Sequence, residues 1–240
     1  MIIKEQIKLG KELIKNPKSI NAFMGVSLGK PFYSKENIEK YFLWAEKHCK
    51  KFILILADEP EKWNYQTFKR LTKSESLSFA QKVGEDYKRG FLRIINKHNL
   101  KNIEVKVWKD LFADNQKYEE ILATFKKHFS KKNQFREDCI KTIRQNLGQK
   151  IDEEFEGDKD KIVADILSNY LLEELAATIW FIKNGFPVEI NPRKLVELNE
   201  SIYSNRYKEL SKDLEFSNEW GYIQLTIQPA PSIISFNIGI

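Results

Sequence analysis

The chain has 240 residues, 42% hydrophobic and 31% charged, with only ten glycines and seven prolines, which supplies a sizeable core and excludes disordered, collagen-like and low-complexity classes. Its 40 basic against 34 acidic residues leave a net charge of +6, favouring a polyanionic partner without requiring one. The longest apolar runs, residues 52–57 and 175–182, fall far short of the ~20 needed to cross a bilayer, and residues 1–10 lack a secretory h-region, so a cytoplasmic protein without a membrane span is expected.

Residues 20–26 (INAFMGV) read as a strand ending at Ser27-Leu28-Gly29-Lys30-Pro31, after which Ser34 caps an amphipathic helix. Residues 51–58 (KFILILAD) form a near-continuous apolar run, as expected of a strand covered on both faces. A helix over about 74–98 follows, then an alternating strand at 103–107, then helical stretches over roughly 115–147. Beyond an acidic connector at 152–160, a long helix is predicted over 161–183, stopped by Asn184-Gly185 with Pro187 behind it. Residues 187–190 look extended, and the tail alternates through 222–227 and resumes over 233–240, suggesting late edge or hairpin strands. Strands alternating with helices predict an α/β domain over 1–240 with a central, mainly parallel sheet and a ligand site beyond the carboxyl ends of its strands.

Neither G-x-G-x-x-G nor a Walker A sequence occurs, so no dinucleotide or ATP phosphate cradle is written in the chain. Cys49 and Cys139 lie far apart without partners at ligand spacing, and reduced structural thiols are expected, with no disulfide or metal site. No leftover apolar heptad calls for an obligate oligomer, and a monomer is expected.

Gly25-Val26-Ser27-Leu28-Gly29 satisfies G-x-S-x-G, a turn that exposes a serine hydroxyl. A Ser-His-Asp hydrolase would need one of the three histidines, yet His48, His98 and His128 all read as solvated helix positions among lysines. On the later helix, Ile162, Ile166, Tyr170, Ala177 and Phe181 mark one buried face, and at about 100° per residue Glu173 and Glu174 border it. A carboxylate there needs a cationic or hydrogen-bonding partner, or its pKa must rise. A substrate ammonium is one such partner; an Arg or Lys from a neighbouring element is the other.

A strand ending in G-x-S, followed by G-x-P-F-Y-S at 29–34 and much later by Y-x-x-x-E as Tyr170 and Glu174, resembles the cyclodipeptide synthases. The likeness runs from about residue 20 to about 222. It implies a Rossmann-like fold similar to the catalytic domains of class I tyrosyl- and tryptophanyl-tRNA synthetases. It also implies an activity without ATP or another cofactor, joining the aminoacyl groups of two aminoacyl-tRNAs into a 2,5-diketopiperazine. On that resemblance Ser27 takes the first aminoacyl group as an ester, Gly25 lines the pocket beside it, and Tyr170 and Glu174 hold its ammonium. Glu174 is then also a candidate for proton transfer in the step with the second aminoacyl-tRNA.

The chain departs from the family pattern in a late loop, where residues 187–193 read P-V-E-I-N-P-R: Pro192 matches one branch, but Asn191 stands where its tyrosine is expected. Asn191 can hydrogen-bond but cannot ionise as a phenol; a register shift of one or two residues would put Glu189 there instead. In the first register Glu189 lines the first aminoacyl pocket, favouring a side chain that donates hydrogen bonds or carries positive charge, histidine foremost. Lys30 would favour an acidic or polar second residue. The helix bearing Lys82, Lys88, Arg89, Arg93 and Lys97 lies where the family has a tRNA-contacting basic helix, with Lys126, Lys127, Lys131, Lys132 and Arg136 as a competing cluster. Two other readings remain open: a serine hydrolase using the elbow, and a non-catalytic tRNA-binding module.

Overall fold

The computed structural model describes residues 2–216 and 219–227. The chain opens with β1 (Ile2–Lys8) and α1 (Leu9–Lys15), and then β2 (Ala22–Val26) leads through a 3-10 turn into α2 (Lys35–His48). Next come β3 (Phe52–Leu56), α3 (Glu61–Phe68), α4 (Lys73–His98) and β4 (Ile103–Val107). The short α5 (Lys109–Phe112) precedes α6 (Gln116–Ser130) and α7 (Gln134–Glu154). One turn of α8 (Lys159–Ile162) passes through a π turn, Val163–Leu167, into α9 (Ser168–Lys183). The chain then forms β5 (Val188–Asn191), α10 (Glu197–Tyr203), α11 (Lys208–Asp213) and β6 (Gly221–Thr226).

The six strands lie in the order β1-β6-β5-β2-β3-β4. All neighbours pair parallel except β1, which runs antiparallel to β6. This is the expected α/β sheet, with two differences. β1 was not anticipated, because its alternation of charged and apolar residues carries no long apolar signal. β6 is consequently an interior strand, covered by β1, and not an edge. The extended segment expected at 233–240 lies outside the described residues.

Every residue of β3 is buried. Ile53 and Ile55 face the layer formed by α6 and α9, whereas Leu54 and Leu56 face the layer holding Phe42 of α2 and Phe91 of α4, the two-residue period of a strand buried on both sides. Phe181 stacks on Phe23 of β2 at 4.6 Å between centroids, which docks α9 across the sheet. Buried Asp58, just after β3, accepts the Trp108 N–H at 2.8 Å and so ties the carboxyl ends of β3 and β4 together. Both cysteines are buried and free. Among the described residues, no helix is long and apolar enough to cross a membrane.

Counted along the chain, the parallel strands lie third, second, first, fourth, fifth, so the order reverses between β2 and β5. Connections leave in opposite directions there, opening a crevice beyond the strand ends. The crevice is widened because β2 and β5 pair only through Ala22 with Val188 and Phe23 with Glu189, whereas β2 and β3 stay in register over five pairs. Beyond Phe23 the backbones of β2 and β5 part, and Ser27 stands at the mouth of the gap.

Candidate active site

The crevice holds a cavity of about 260 Å³ lined by Gly25, Ser27, Lys30, Tyr170, Glu174, Glu189 and Asn191. Seven of the nine residues expected at the catalytic and substrate-binding positions therefore meet in one place. Glu173 and Pro192 do not join them. Glu173 is buried against α3, where Lys62 Nζ lies 3.0 Å from both carboxylate oxygens and Trp63 Nε1 donates at 2.9 Å. Of the two partners open to this pair of acids, Glu173 has the structural lysine. Pro192 is buried behind the loop.

Ser27 follows β2 in a turn that Gly29 makes possible with φ +76°, a conformation that costs a residue with a Cβ. Gly25 serves differently: a Cβ built there would meet nothing within 4 Å, so its missing side chain is cavity space. The helix after Ser27 does not start at the serine. Pro31–Tyr33 form a 3-10 turn first, and Ser34 caps α2 by accepting the Asn37 N–H. A hydrolase elbow needs a helix directly behind the nucleophile and a histidine beside it. Here none of the histidines lines the cavity. His48 stacks on Trp44, and His98 pairs with Glu39. His128 is not solvated as expected but buried, with Nε2 2.9 Å from Asp213, because the apolar face of α6 carries it inward.

From α9, Tyr170 donates to Ser27 Oγ at 3.2 Å, and Ser27 Oγ donates to Glu174 Oε1 at 3.4 Å. The four-residue spacing stacks phenol and carboxylate one turn apart on the face above the serine. Burial pushes the Glu174 carboxyl up to about 7; Glu61 and Glu189 add to the rise, while hydrogen bonds from Tyr170 and Ser27 oppose it. Burial likewise holds the Tyr170 phenol well above its ordinary value, with Glu174 and Glu61 contributing.

Glu189 follows from strand register. Phe23, Glu189 and Tyr222 are cross-strand neighbours on three adjacent strands, a row facing α9. The Glu189 carboxylate is buried and accepts the Tyr203 hydroxyl at 2.7 Å; burial raises its pKa, opposed by hydrogen bonds with Tyr203 and Asn191. Asn191 turns its own Oδ1 to the Arg193 N–H at 2.9 Å, and so braces the loop.

Glu61, at the start of α3, lines the same cavity and was missed. The Asp58-Glu59-Pro60 run reads as the sharp end of a strand, and nothing in it announces that the next acid turns inward. Buried Glu61 and Glu189 and half-buried Glu174 thus sit beneath a rim of exposed Lys30, Arg193 and Lys194.

Of the five α4 cations, Lys82, Arg89, Arg93 and Lys97 are exposed. Lys88 pairs with Asp110, Arg89 with Asp86 and Lys97 with Glu39, so three of the five cations have a carboxylate beside them. In the competing cluster, Lys127 and Lys131 pair with Asp213 and Glu209, and Arg136 lies over the Phe129 ring.

The strand order and the serine-centred crevice define a Rossmann-like α/β protein without a phosphate loop. Its fold is similar to solved structures of several cyclodipeptide synthases. One from Staphylococcus haemolyticus is 21% identical, with a TM-score of 0.72, covering 95% of this chain and all of that one. A Mycobacterium tuberculosis protein, whose structure relates cyclodipeptide synthetases to type I tRNA synthetases, is 15% identical with a TM-score of 0.70, covering 95% and 96%. One from Candidatus Glomeribacter gigasporarum, bound to Phe-tRNAPhe, is 19% identical with a TM-score of 0.61, covering 92% and 93%. No curated protein matches by sequence. The cyclodipeptide synthase family model, however, matches residues 17–179, and the chain belongs to that family.

Proposed function

We propose that this enzyme condenses the aminoacyl groups of two aminoacyl-tRNAs into a cyclodipeptide through an ester on Ser27. The observation that carries the reading is the meeting of Ser27 Oγ with Tyr170 at 3.2 Å and Glu174 at 3.4 Å inside one acid-lined cavity. An aminoacyl-tRNA is already an activated ester, so positioning and proton handling suffice and ATP is not needed. Ser27 Oγ attacks the aminoacyl carbonyl, the bond to the terminal ribose breaks, and the serine proton ends on the ribose oxygen as the first tRNA leaves. The bound aminoacyl ammonium then lies against Tyr170 and Glu174. For the serine ester to survive until ring closure, this first amine must attack the ester carbonyl of the second aminoacyl-tRNA. It gives one proton to Glu174, whose elevated pKa suits the exchange, and a second, as the amide forms, to the ribose oxygen of the departing second tRNA. The amine of the resulting dipeptide attacks the Ser27 ester, forming the C–N bond, breaking C–Oγ and returning a proton to Oγ.

Glu189 gives the first side-chain pocket an acidic floor between Phe23 and Tyr222. A leucine there would desolvate the carboxylate with nothing in return, whereas a histidine supplies an N–H donor; histidine is the proposed first residue. Exposed Lys30, Arg193 and Lys194 at the rim suit the phosphates of a tRNA 3′ end, and Arg89, Arg93 and Lys97 on α4 suit a phosphate backbone further out. The relative bound to Phe-tRNAPhe supports a charged tRNA as substrate.

The test is mass spectrometry of medium from cells expressing the wild type or Ser27→Ala. The wild type releases a diketopiperazine and the variant none; equal release refutes the ester. Purified enzyme given single aminoacyl-tRNAs then reads the pocket, and abundant cyclo(Leu-Leu) refutes the acidic floor.

A further inference from the structure

Two amines must act in turn as nucleophiles in this reaction, and each arrives as an ammonium. The first has Tyr170 and Glu174. The cavity contains a second set of acceptors, which meets the first at the Tyr170 hydroxyl. Glu61 is buried, and its Oε2 accepts the Asn64 Nδ2 at 2.8 Å. Having donated, Asn64 leaves its own Oδ1 buried with no hydrogen-bond partner, although Asn64 lines the cavity. A buried acceptor left unpaired costs about 1–3 kcal/mol, and a turn of the Asn64 amide toward the cavity would let an entering donor relieve that cost. Asn191 cannot do this work, since an amide does not ionise and its oxygen is already turned to Arg193.

We infer that Glu61, assisted by Asn64 Oδ1, binds the ammonium of the second aminoacyl group and takes its proton before ring closure. An ammonium has three N–H donors; one carboxylate oxygen and one amide oxygen meet two of them. The amine so released attacks the Ser27 ester carbonyl, the C–N bond forms as C–Oγ breaks, and one of its two remaining protons passes to Oγ while the other stays on the new amide. The groups facing Glu61 are Lys30 from the turn after β2, Asn64 and Tyr65 on α3, Lys150 on α7, and Tyr170 and Glu174 on α9. Burial keeps Glu61 above the usual carboxylate range, so it is basic enough to hold a proton in transit. Two carboxylates, one on α3 and one on α9, thereby serve two amines.

The inference rests on the proposed function, and one experiment separates their failures. Wild type, Glu61→Gln and Glu61→Asp are mixed with total bacterial tRNA charged with amino acids, and the intact proteins are weighed by mass spectrometry while diketopiperazines are counted. Glu61→Gln is expected to acquire an aminoacyl group as fast as the wild type, then to accumulate a dipeptidyl-enzyme and release product about a hundredfold more slowly, the size of a lost general base. Glu61→Asp, which keeps the charge but shortens its reach, is expected to close the ring at an intermediate rate that rises with pH. Normal product release by Glu61→Gln overturns the inference, as does loss of Ser27 acylation in step with product. If Glu61→Gln does not fold, Glu61→Asp decides, by whether the dipeptidyl mass builds up ahead of product. A wild type that never carries an acyl group overturns the proposed function itself.

Discussion

Glu174 links the chemistry of the cavity to the stability of the fold. Its carboxyl titrates at about 7 in the folded protein against an ordinary 4.5 in the unfolded chain, chiefly because it is buried. Between those two values the folded state holds a proton that the unfolded state has released, so stability falls as pH rises through the window and levels off beyond it. The gap, at about 1.4 kcal/mol per pH unit, amounts to roughly 3 kcal/mol at most. Glu174→Gln keeps the shape and removes the titration. Urea unfolding of both proteins near pH 5 and near pH 8 is the assay. Asp58, raised to about 6 by burial, titrates in both proteins and cancels in the difference, whereas Glu61 and Glu189, whose charges act on Glu174, form part of the measured difference. The stability of the wild type relative to the variant should fall by about 2–3 kcal/mol between the two pH values. Parallel behaviour would mean that Glu174 is solvated and ionised throughout, and the proton-transfer role would lose its basis.

Lys62→Ala strands the buried Glu173 carboxylate without its cation, and the loss of an ion-pair partner at such a site costs about 3–5 kcal/mol; urea unfolding near neutral pH measures it. Gly84→Ala would place a methyl group 2.5 Å from Asp58 Oδ2 and 2.6 Å from its Cγ, prising α4 from the end of β3 for about 1–3 kcal/mol, seen as a lowered Tm with the Cys49 and Cys139 thiols reacting sooner. Replacing Arg89 and Arg93 by alanine should raise KM for aminoacyl-tRNA and flatten the log–log salt dependence of kcat/KM by about 1–2, the slope of two lost phosphate contacts, while leaving kcat in place. Unchanged KM would move the RNA surface to the cluster around Lys126 and Lys132.

The parts of the molecule legible in the sequence were those with a strong local signature. The apolar run of β3, the alternation of β4, the Ser34 cap and the Asn184-Gly185 stop all form where they were expected. Tyr170 and Glu174 were readable because a four-residue spacing survives any tertiary arrangement of the helix. By helical spacing alone Glu173 and Glu174 are alike, because both border the same stripe and only the position of α3 decides which one meets a lysine; the family motif, not the spacing, singled out Glu174. Glu61 was invisible for a related reason: whether an acid at a helix start faces water or a cavity depends on the helix axis, not on its neighbours in the chain. β1 was hidden because an edge strand paired with one neighbour needs no continuous apolar run. His128 misled because the lysines beside it in sequence stay exposed while its own ring turns inward to Asp213, which Lys127 also reaches from the surface.

The π turn at Val163–Leu167 has a consequence for how this protein can change by insertion or deletion. Its own Val163 and Leu167 belong to a small apolar cluster with Ile143 and Ile151 of α7; downstream, Tyr170 and Glu174 address the serine. A π turn takes up one residue more than an α turn, so the wide loop of backbone absorbs one residue within an otherwise continuous rod. Deleting a single residue there would leave an ordinary α turn with both faces kept, whereas deleting one from the regular helix beyond it would turn one end by about 100° against the other. The helix could then keep its grip on α7 or its aim at Ser27, and losing either would leave an intact-looking rod with its working side facing the wrong way.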